Sequence, residues 1–574
     1  MYANNPLILE LIALLKKFEI RKIVVSPGSR HRPFVASIEQ DDYFELFSVV
    51  DERGAAFFAI GLIQECNEPV AITCSSGTAC MNYGSAIVEA YYQKLPLLVL
   101  SSDRNPVFLN QGEDQMYDQA STFIGCTKYH AQLPIIHNDT DRWYCNRLIN
   151  EGLISLTTHG KGPVHLNIPV VSHHADSINI EELPDVRKIN YHTLTLSLKW
   201  QDFANKLDGK KIAIVWGQSV HHSNALTKAT DKFAKKSGAV ILTDRMSNCN
   251  SAYALTNTLL ALKAIKPTET DSMMPDIVIS IGGNYIFNNE LKSFLKQGNM
   301  INWQVGEDVN ICDPFWCLTD KFNMTEIDFF ESLADTIIPT QDSTFRSNWL
   351  QFENLPHPSL EEFNEIYPIG RLIQSLPDNC DLQLANSNTI RFAHYFNIKS
   401  SIRVNCNRGV NGIDGSMSTA MGFSAINKKP TFYITGELSF FYDMNALWIK
   451  YRSANLRILL VNNNGGAVMY DLHTHPTDNK YPIYLATGHD AVAKGWAESQ
   501  GFRYIAAHNK SEVDEGIAIL TDSKQAKPII LEVFTDYDSD GTAANKFFAS
   551  LDRRSFIDKV HGRLNRMANN LFKK

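Results

Sequence analysis

Residues 22–30 read KIVVSPGSR: a short β-branched run that stops in a turn of Ser, Pro and Gly, with an arginine just beyond it. A continuous apolar strand followed at once by small turn residues marks a parallel sheet covered on both faces by helices. Upstream, Asn5-Pro6 provides a cap and a first-turn proline for a helix whose apolar series is Leu7, Leu11, Leu14, Leu15 and Phe18. The opening segment MYANNPLILELIALLKKFE therefore reads as an amphipathic helix with its acidic and basic residues on one side, and as neither signal peptide nor membrane anchor. Downstream, helix and short strand keep alternating, with strands at 47–50, 70–73, 97–101 and 164–168. This unit closes near Pro169, and residues 172–193 lack periodicity and read as a linker.

The same punctuation recurs twice more. A second α/β unit runs from about Leu196 to Pro339, with strands at 211–216, 239–243, 276–282 and 300–304. A third begins near Pro356, with strands at 381–385, 431–435, 457–461 and 528–534. The expected architecture is α/β, with three doubly wound parallel-sheet domains at 1–180, 195–345 and 356–574. First and third units each end a strand in a Ser-bearing turn with an arginine close behind, Ser29-Arg30 in one and Ser387 with Arg391 in the other. Such turns lie at the carboxyl ends of strands, where doubly wound sheets place ligands.

Composition narrows the function classes. The 574 residues carry 54 Lys and Arg against 62 Asp and Glu, a formal net charge of -8, with no long basic run and no basic residues interleaved with aromatics. That speaks against nucleic acid as a partner. No apolar stretch approaches the roughly 20 residues that span a bilayer, so no membrane insertion is expected. The 10 cysteines are scattered without metal-ligand spacing, which reads as reduced thiols in a cytoplasmic protein.

The third unit carries the first chemical signal. Gly436-Glu437-Leu438-Ser439 ends one strand, Asn445 follows, and Val461-Asn462-Asn463-Asn464-Gly465-Gly466 ends the next. A carboxylate, an amide side chain, a backbone carbonyl and close-approach glycines are what a diphosphate bridged by Mg²⁺ needs. Asn and Gly are also common in ordinary βα turns, so this segment alone leaves both readings open. In the first unit Asp51-Glu52-Arg53-Gly54-Ala55-Ala56 opens a helix at a strand end, and Cys74-Ser75-Ser76-Gly77-Thr78-Ala79 opens another. A lone Glu at a helix start commonly serves only the helix dipole.

Together these segments resemble the thiamine diphosphate enzymes. The blocks SPGSRHRPF (26–34), DERGAAFFAIGL (51–62), CSSGTACMNYGSAIVEA (74–90), LPLLVLSSDRNP (95–106), GPVHLNIP (162–169) and NRGVNGIDGSMSTAMG (407–422) look like one family within them. That family is the 2-succinyl-5-enolpyruvyl-6-hydroxy-3-cyclohexene-1-carboxylate synthases of menaquinone biosynthesis, the MenD family. The resemblance implies a pyrimidine-binding, a central and a diphosphate-binding domain in that order. It also implies thiamine diphosphate with Mg²⁺ or Mn²⁺, and decarboxylation of 2-oxoglutarate with transfer of the succinyl unit to isochorismate. Glu52 matches the catalytic glutamate, whose carboxyl group bonds the aminopyrimidine ring. Ser76, Gly77, Ile413, Gly436, Glu437, Leu438, Asn463, Gly465, Val468 and Met469 match cofactor-binding positions, with Glu437, Asn463 and Gly465 as metal ligands. Ile413 would prop the cofactor into its bent shape, or it is plain core. Ser387, Arg391 and Arg408 match the donor side, and Ser29, Arg30, Arg104 and Gln115 the acceptor side. A homodimer or homotetramer is implied, and the Ile281-Gly282-Gly283 loop is expected to reach the acceptor.

The chain departs from that pattern in several places. Glu437 stands where the family has Asp, and Mg²⁺ tolerates little misfit. The loop Gly282-Gly283-Asn284-Tyr285-Ile286 lacks the family's cationic segment, and Ala467-Val468-Met469-Tyr470-Asp471 follows the Asn turn where Ile-Phe is usual. Three functions therefore stay open: the menaquinone reaction, the same donor chemistry with a different acceptor or decarboxylation alone, and a catalytically weak subunit of this fold.

Overall fold

Strand Lys22–Val25 pairs in parallel with Glu45–Ser48 on one side and Val70–Cys74 on the other. In the computed structural model, which describes residues 1–171, 177–191, 198–472 and 483–553, these strands belong to the first of three six-stranded sheets. Numbered in chain order, its strands lie 2-1-3-4-6-5, with Leu97–Asp103, Val164–Pro169 and the edge strand Tyr129–Gln132 completing it. The third sheet repeats that order with Asp381–Leu384, Arg403–Cys406, Thr431–Gly436, Leu456–Asn462, Arg503–Ala507 and Ile529–Phe534. The middle sheet runs 3-2-1-4-5-6 around Ile212–Trp216. Every ladder in the three sheets is parallel, so the chain is α/β with three doubly wound sheets. In the first and third sheets the order reverses between strands 1 and 3. Crevices accordingly open beyond Val25 and Cys74, and beyond Leu384 and Gly436.

The core strands follow the sequence reading, and the edges do not. Tyr129–Gln132, Leu318–Phe322 and Arg503–Ala507 are strands of mixed burial that periodicity did not reveal, because an edge strand keeps polar residues toward water. Arg403–Cys406 and Ala254–Leu255 were missed as well, the second for its brevity. The strand expected at 47–50 is Glu45–Ser48. Part of the supposed linker is ordered: Ile178–Ile180 pairs antiparallel with Tyr2–Ala3, a pairing too short to leave a period; residues 172–176 and 192–193 lie outside the described residues. Asn5 caps helix Pro6–Lys17, its side chain accepting from the N–H groups of Leu7 and Ile8. That helix does not keep all its charges outside. Glu10 is buried, accepts a 2.8 Å bond from Asn146 Nδ2, and lies 3.8 Å from Arg142. Among the described residues no helix is long and apolar enough to cross a membrane.

First and third sheets are joined by two helices, Glu52–Cys66 and Ser416–Ile426, which cross with almost no side chain between them. A Cβ on Gly61 would lie 2.0 Å from Thr419 O, and one on Gly422 would lie 2.0 Å from Phe58 O. Each glycine thus admits the other helix's backbone. Across the same seam Glu65 pairs with Arg403, which Asp381 of the neighbouring strand also holds. Gly422→Ala is expected to force the helices apart and to cost about 1–3 kcal/mol, the usual range for overpacking. A lowered thermal midpoint would register it, and an unchanged midpoint would mean that the crossing is looser than drawn.

Candidate active site

The crevice of the first sheet gathers residues from four turns. Glu52 begins its helix directly after Asp51, whose side chain caps it by accepting from Arg53 N–H at 3.2 Å. Glu52 shares a cavity of about 260 Å³ with Gly28, Ser29, Ser76, Asn82 and Gln115. Burial raises the Glu52 pKa, and the neighbouring Asp51 charge adds to it. Gly77 is held at φ 83° and donates its N–H to Gln119 Oε1 at 3.0 Å. The Gln119 amide in turn donates to Ser102 O at 3.0 Å and Asn167 Oδ1 at 2.7 Å, and Asn167 donates to Asp103 at 2.7 Å. The glycine turn therefore rests on a buried, hydrogen-bonded polar network rather than on apolar packing.

Two guanidinium groups border this crevice. Arg30 is buried, its Nη1 donating to Val170 O at 3.2 Å and its backbone N–H to Ser75 Oγ at 3.3 Å. Arg104 reaches Glu113 at 3.3 Å. Burial and then the Arg104 charge lower the Arg30 pKa, while Glu113 and Asp103 act the other way. Such a pair favours an incoming carboxylate.

The crevice of the third sheet forms the second centre. A Cβ on Gly436 would meet nothing within 4 Å, so a ligand can approach its backbone. Glu437 follows, 3% exposed, with Oε1 bonded to no donor among the described residues and 3.7 Å from His489 Nε2, beyond hydrogen-bond length. Asn463 donates through Nδ2 to Asp540 at 2.8 Å and accepts at Oδ1 from Gly465 N–H at 3.3 Å. Glu365 donates its N–H to Asp540 at 2.7 Å and accepts from Asn388 at 2.5 Å. Burial raises the pKa of Glu437 and of Glu365, and lifts that of Asp540 to about 6. The Glu437 carboxyl in turn raises His489. Leu438, Val468 and Met469 flank the centre on the short helices Glu437–Tyr442 and Ala467–Leu472. A buried carboxylate oxygen without a donor, next to an amide carbonyl and a glycine turn, is a donor set that fits one hard cation. Among the described residues no three His, Cys, Asp or Glu side chains gather for a metal, so the remaining ligands would come from a bound diphosphate.

The residues expected on the donor side are less tightly drawn together. Ser387, at φ 73°, starts helix Asn388–Ala393, on which Arg391 is exposed. Arg408 is half-buried and donates to Asn386 Oδ1 at 3.1 Å. Ile413 is 37% exposed, so it is not plain core, and its carbonyl accepts from Ser439 Oγ at 2.6 Å. Arg53 Nη2 donates to Tyr442 O at 2.9 Å and Asn445 Nδ2 to Asp51 Oδ2 at 3.2 Å, so the turn that carries Glu52 is bonded to the end of the helix that begins at Glu437. Gln119, Glu365, His489 and Asp540 were absent from the sequence reading, since each joins its centre across many residues and belongs to no local motif.

A family model described as the N-terminal thiamine pyrophosphate-binding domain of thiamine pyrophosphate enzymes matches residues 10–122, a span that holds the whole Glu52 crevice. A 2-succinyl-5-enolpyruvyl-6-hydroxy-3-cyclohexene-1-carboxylate synthase of Phocaeicola vulgatus is 36% identical over 565 residues, covering 97% of this chain and 100% of its own. Its counterparts in Bacteroides fragilis and Flavobacterium johnsoniae are 37% and 30% identical, each over 96% of this chain and 100% of theirs. Among solved structures, benzoylformate decarboxylase from Polynucleobacter necessarius shares the fold, with a TM-score of 0.70 at 15% identity over 94% of this chain and 99% of that one.

Proposed function

The chain belongs to the 2-succinyl-5-enolpyruvyl-6-hydroxy-3-cyclohexene-1-carboxylate synthase family, and from that premise we propose that it decarboxylates 2-oxoglutarate and adds the succinyl unit to isochorismate in menaquinone biosynthesis. The observation that carries the reading is a pair of polar centres at the reversal points of two sheets with the same strand order. Thiamine diphosphate, when bound, supplies the carbanion chemistry. Ser76, Gly77 and Ile413 would hold its ring end, and Gly436, Leu438, Val468 and Met469 would line its diphosphate end. Glu437, Asn463 and Gly465 would hold Mg²⁺ or Mn²⁺.

The protein's own groups do the rest. Glu52, raised by burial, keeps a proton on its carboxyl oxygen at a pH where an exposed glutamate has lost it, and can exchange that proton with the aminopyrimidine ring. Arg408 and Arg391, with Ser387, take the distal carboxylate of the donor. Arg30 and Arg104, with Ser29 and Gln115, take the carboxylates of the acceptor, which relieves the repulsion between the two guanidinium groups. We read the two centres as half-sites completed by a second copy, in a cytoplasmic homodimer or homotetramer, as the resemblance to the thiamine diphosphate enzymes implies.

Incubation with thiamine diphosphate, Mg²⁺, 2-oxoglutarate and isochorismate, followed by mass analysis, tests the reading. The succinylated, decarboxylated adduct is expected. A second reading, the same donor chemistry with another acceptor, is favoured by Asn284, whose amide is turned to the protein's own backbone rather than offered to a ligand. Loss of CO₂ without the isochorismate adduct would select it. Arg408→Ala is expected to weaken the use of the 2-oxo acid by about 2–5 kcal/mol, the cost of breaking a desolvated carboxylate contact. Arg391→Ala should cost less, because Arg391 is exposed. Donor kinetics unchanged in both variants would place the donor pocket elsewhere.

A further inference from the structure

The middle sheet also has a reversal point, and it has closed it. Beyond the ends of Ile212–Trp216 and Ile277–Ile281, Gly217 N–H donates to Ile281 O at 3.0 Å, Gln218 N–H to Asn284 O at 2.9 Å, and Gly283 N–H to Gln218 O at 2.9 Å. A Cβ on Gly217 would stand 1.7 Å from Gly283 O, so backbone fills the space where a ligand of such a sheet would sit. The side chains leaving this closed turn reach the third unit instead. Gln218 Nε2 donates to Cys406 O at 2.8 Å. Asn284 Nδ2 donates to both Arg408 O at 2.5 Å and Gly409 O at 3.2 Å. Nearby, Asn248 donates to Val404 O at 3.0 Å and accepts from Val404 N–H at 2.8 Å.

The same stretch of chain is held from the other side. Glu89 of the first unit, 2% exposed, accepts from Gly409 N–H at 2.6 Å and Val410 N–H at 2.8 Å. Asn386 donates to Asn407 O at 2.6 Å and Gly412 O at 2.7 Å, and its Oδ1 receives Arg408 Nη1. Residues 404–412 thus form a strap whose polar backbone groups are tied by side chains from all three units. Arg408 sits at its middle.

We propose that Asn284 is a positioning residue: its amide, clamping the Arg408 and Gly409 carbonyls against the pull of Glu89, sets where the Arg408 guanidinium stands. Asn284 is exposed, and among the described residues its amide bonds nothing but these two carbonyls, so its effect passes through the strap rather than through core packing. The inference rests on the donor role given to Arg408. It makes the middle unit, whose own crevice is shut, a determinant of donor affinity.

Asn284→Asp turns the clamp into a repulsion between a carboxylate and two carbonyls, and Asn284→Ser removes it without adding charge. Both should raise the KM for 2-oxoglutarate, by about tenfold for Asp and less for Ser, with a smaller change in kcat. On an Arg408→Ala background the same Asn284 substitutions should change KM by less than about twofold, because residues acting through one contact are not additive. Hydrogen exchange of the segment 404–412 in the cofactor-loaded enzyme should quicken in both variants. Unchanged exchange overturns the clamp whatever the kinetics. Faster exchange with unchanged donor KM, while Arg408→Ala raises it, overturns the positioning role alone. Additive effects in the double variants do so as well, since Asn284 would then act by another route. If Arg408→Ala itself leaves donor KM unchanged, the donor role of Arg408 fails, and the positioning role goes with it.

Discussion

The Glu52→Gln variant is expected to keep thiamine diphosphate and to lose turnover by about 10²–10⁴-fold, the usual contribution of a positioned acid or base. Glutamine retains the length and one hydrogen-bonding oxygen, so the pocket with Ser29, Ser76 and Gln115 should still form. Helix Glu52–Cys66 should also start normally, because its cap is the Asp51 side chain and not Glu52. What the amide cannot do is exchange a proton. The raised pKa gives the expectation a sign on the pH axis: the natural enzyme holds the Glu52 proton to higher pH than a free glutamate does, and the activity that needs it should fall as pH rises through that raised value. Steady-state rates beside calorimetric cofactor binding supply the comparison. Near-normal turnover with confirmed occupancy would remove Glu52 from the proton role, and loss of the cofactor would make it a binding contact only.

What the amino-acid sequence disclosed, and what it withheld, follows from how each residue is held. Val70–Cys74 and Leu97–Asp103 are buried throughout, and such strands announce themselves as continuous apolar runs. Ser29, Glu52, Ser76 and Gln115 share one cavity, and three of them stand where a strand hands over to a helix, a position that turn chemistry reveals. Arg391 and Arg408 were read as equals, yet one lies exposed on a helix and the other is tied into a strap by Asn386, a difference set by contacts distant in sequence. Gln119 and Asp540 left no signal at all. Gln119 supports Gly77 from a loop, and Asp540 fixes the Asn463 amide from a helix 77 positions further along the chain. Neither residue type at either position forms part of a local pattern. The clamp of Asn284 was hidden for the same reason: its partners are backbone carbonyls, which every residue possesses.

Those hidden neighbours sharpen what is expected of Glu437. Burial raises three carboxyl groups, Glu437, Glu365 and Asp540; Asp540 and Glu437 raise Glu365 further and Glu437 raises Asp540, and among the described residues only His489 stands within salt-bridge range of Glu437 as a cation. Glu365 and Asp540 are bonded to amides, a hydroxyl and one backbone N–H; among the described residues Glu437 Oε1 has no donor. A bound cation would satisfy it. Glu437→Ala is therefore expected to weaken joint binding of thiamine diphosphate and metal by more than the roughly 10–100-fold that loss of an outer partner of a metal site costs. Glu437→Asp should bind Mg²⁺ more tightly than the natural protein. The shorter side chain suits an ion that demands octahedral contacts at about 2.0–2.1 Å, whereas Ca²⁺ accepts longer and more varied ones. Titration of the cofactor with Mg²⁺, Mn²⁺ and Ca²⁺ into each variant reads these differences, and the natural protein should discriminate against Ca²⁺ less than the Asp variant does. Metal-free protein offers an independent check, because Glu437→Gln replaces a buried carboxylate, whose one cationic neighbour among the described residues is His489, with a neutral amide and should melt no lower than the natural chain. If Glu437→Ala binds cofactor and metal as well as the natural protein, the metal lies elsewhere, and the orphaned oxygen belongs to His489 alone.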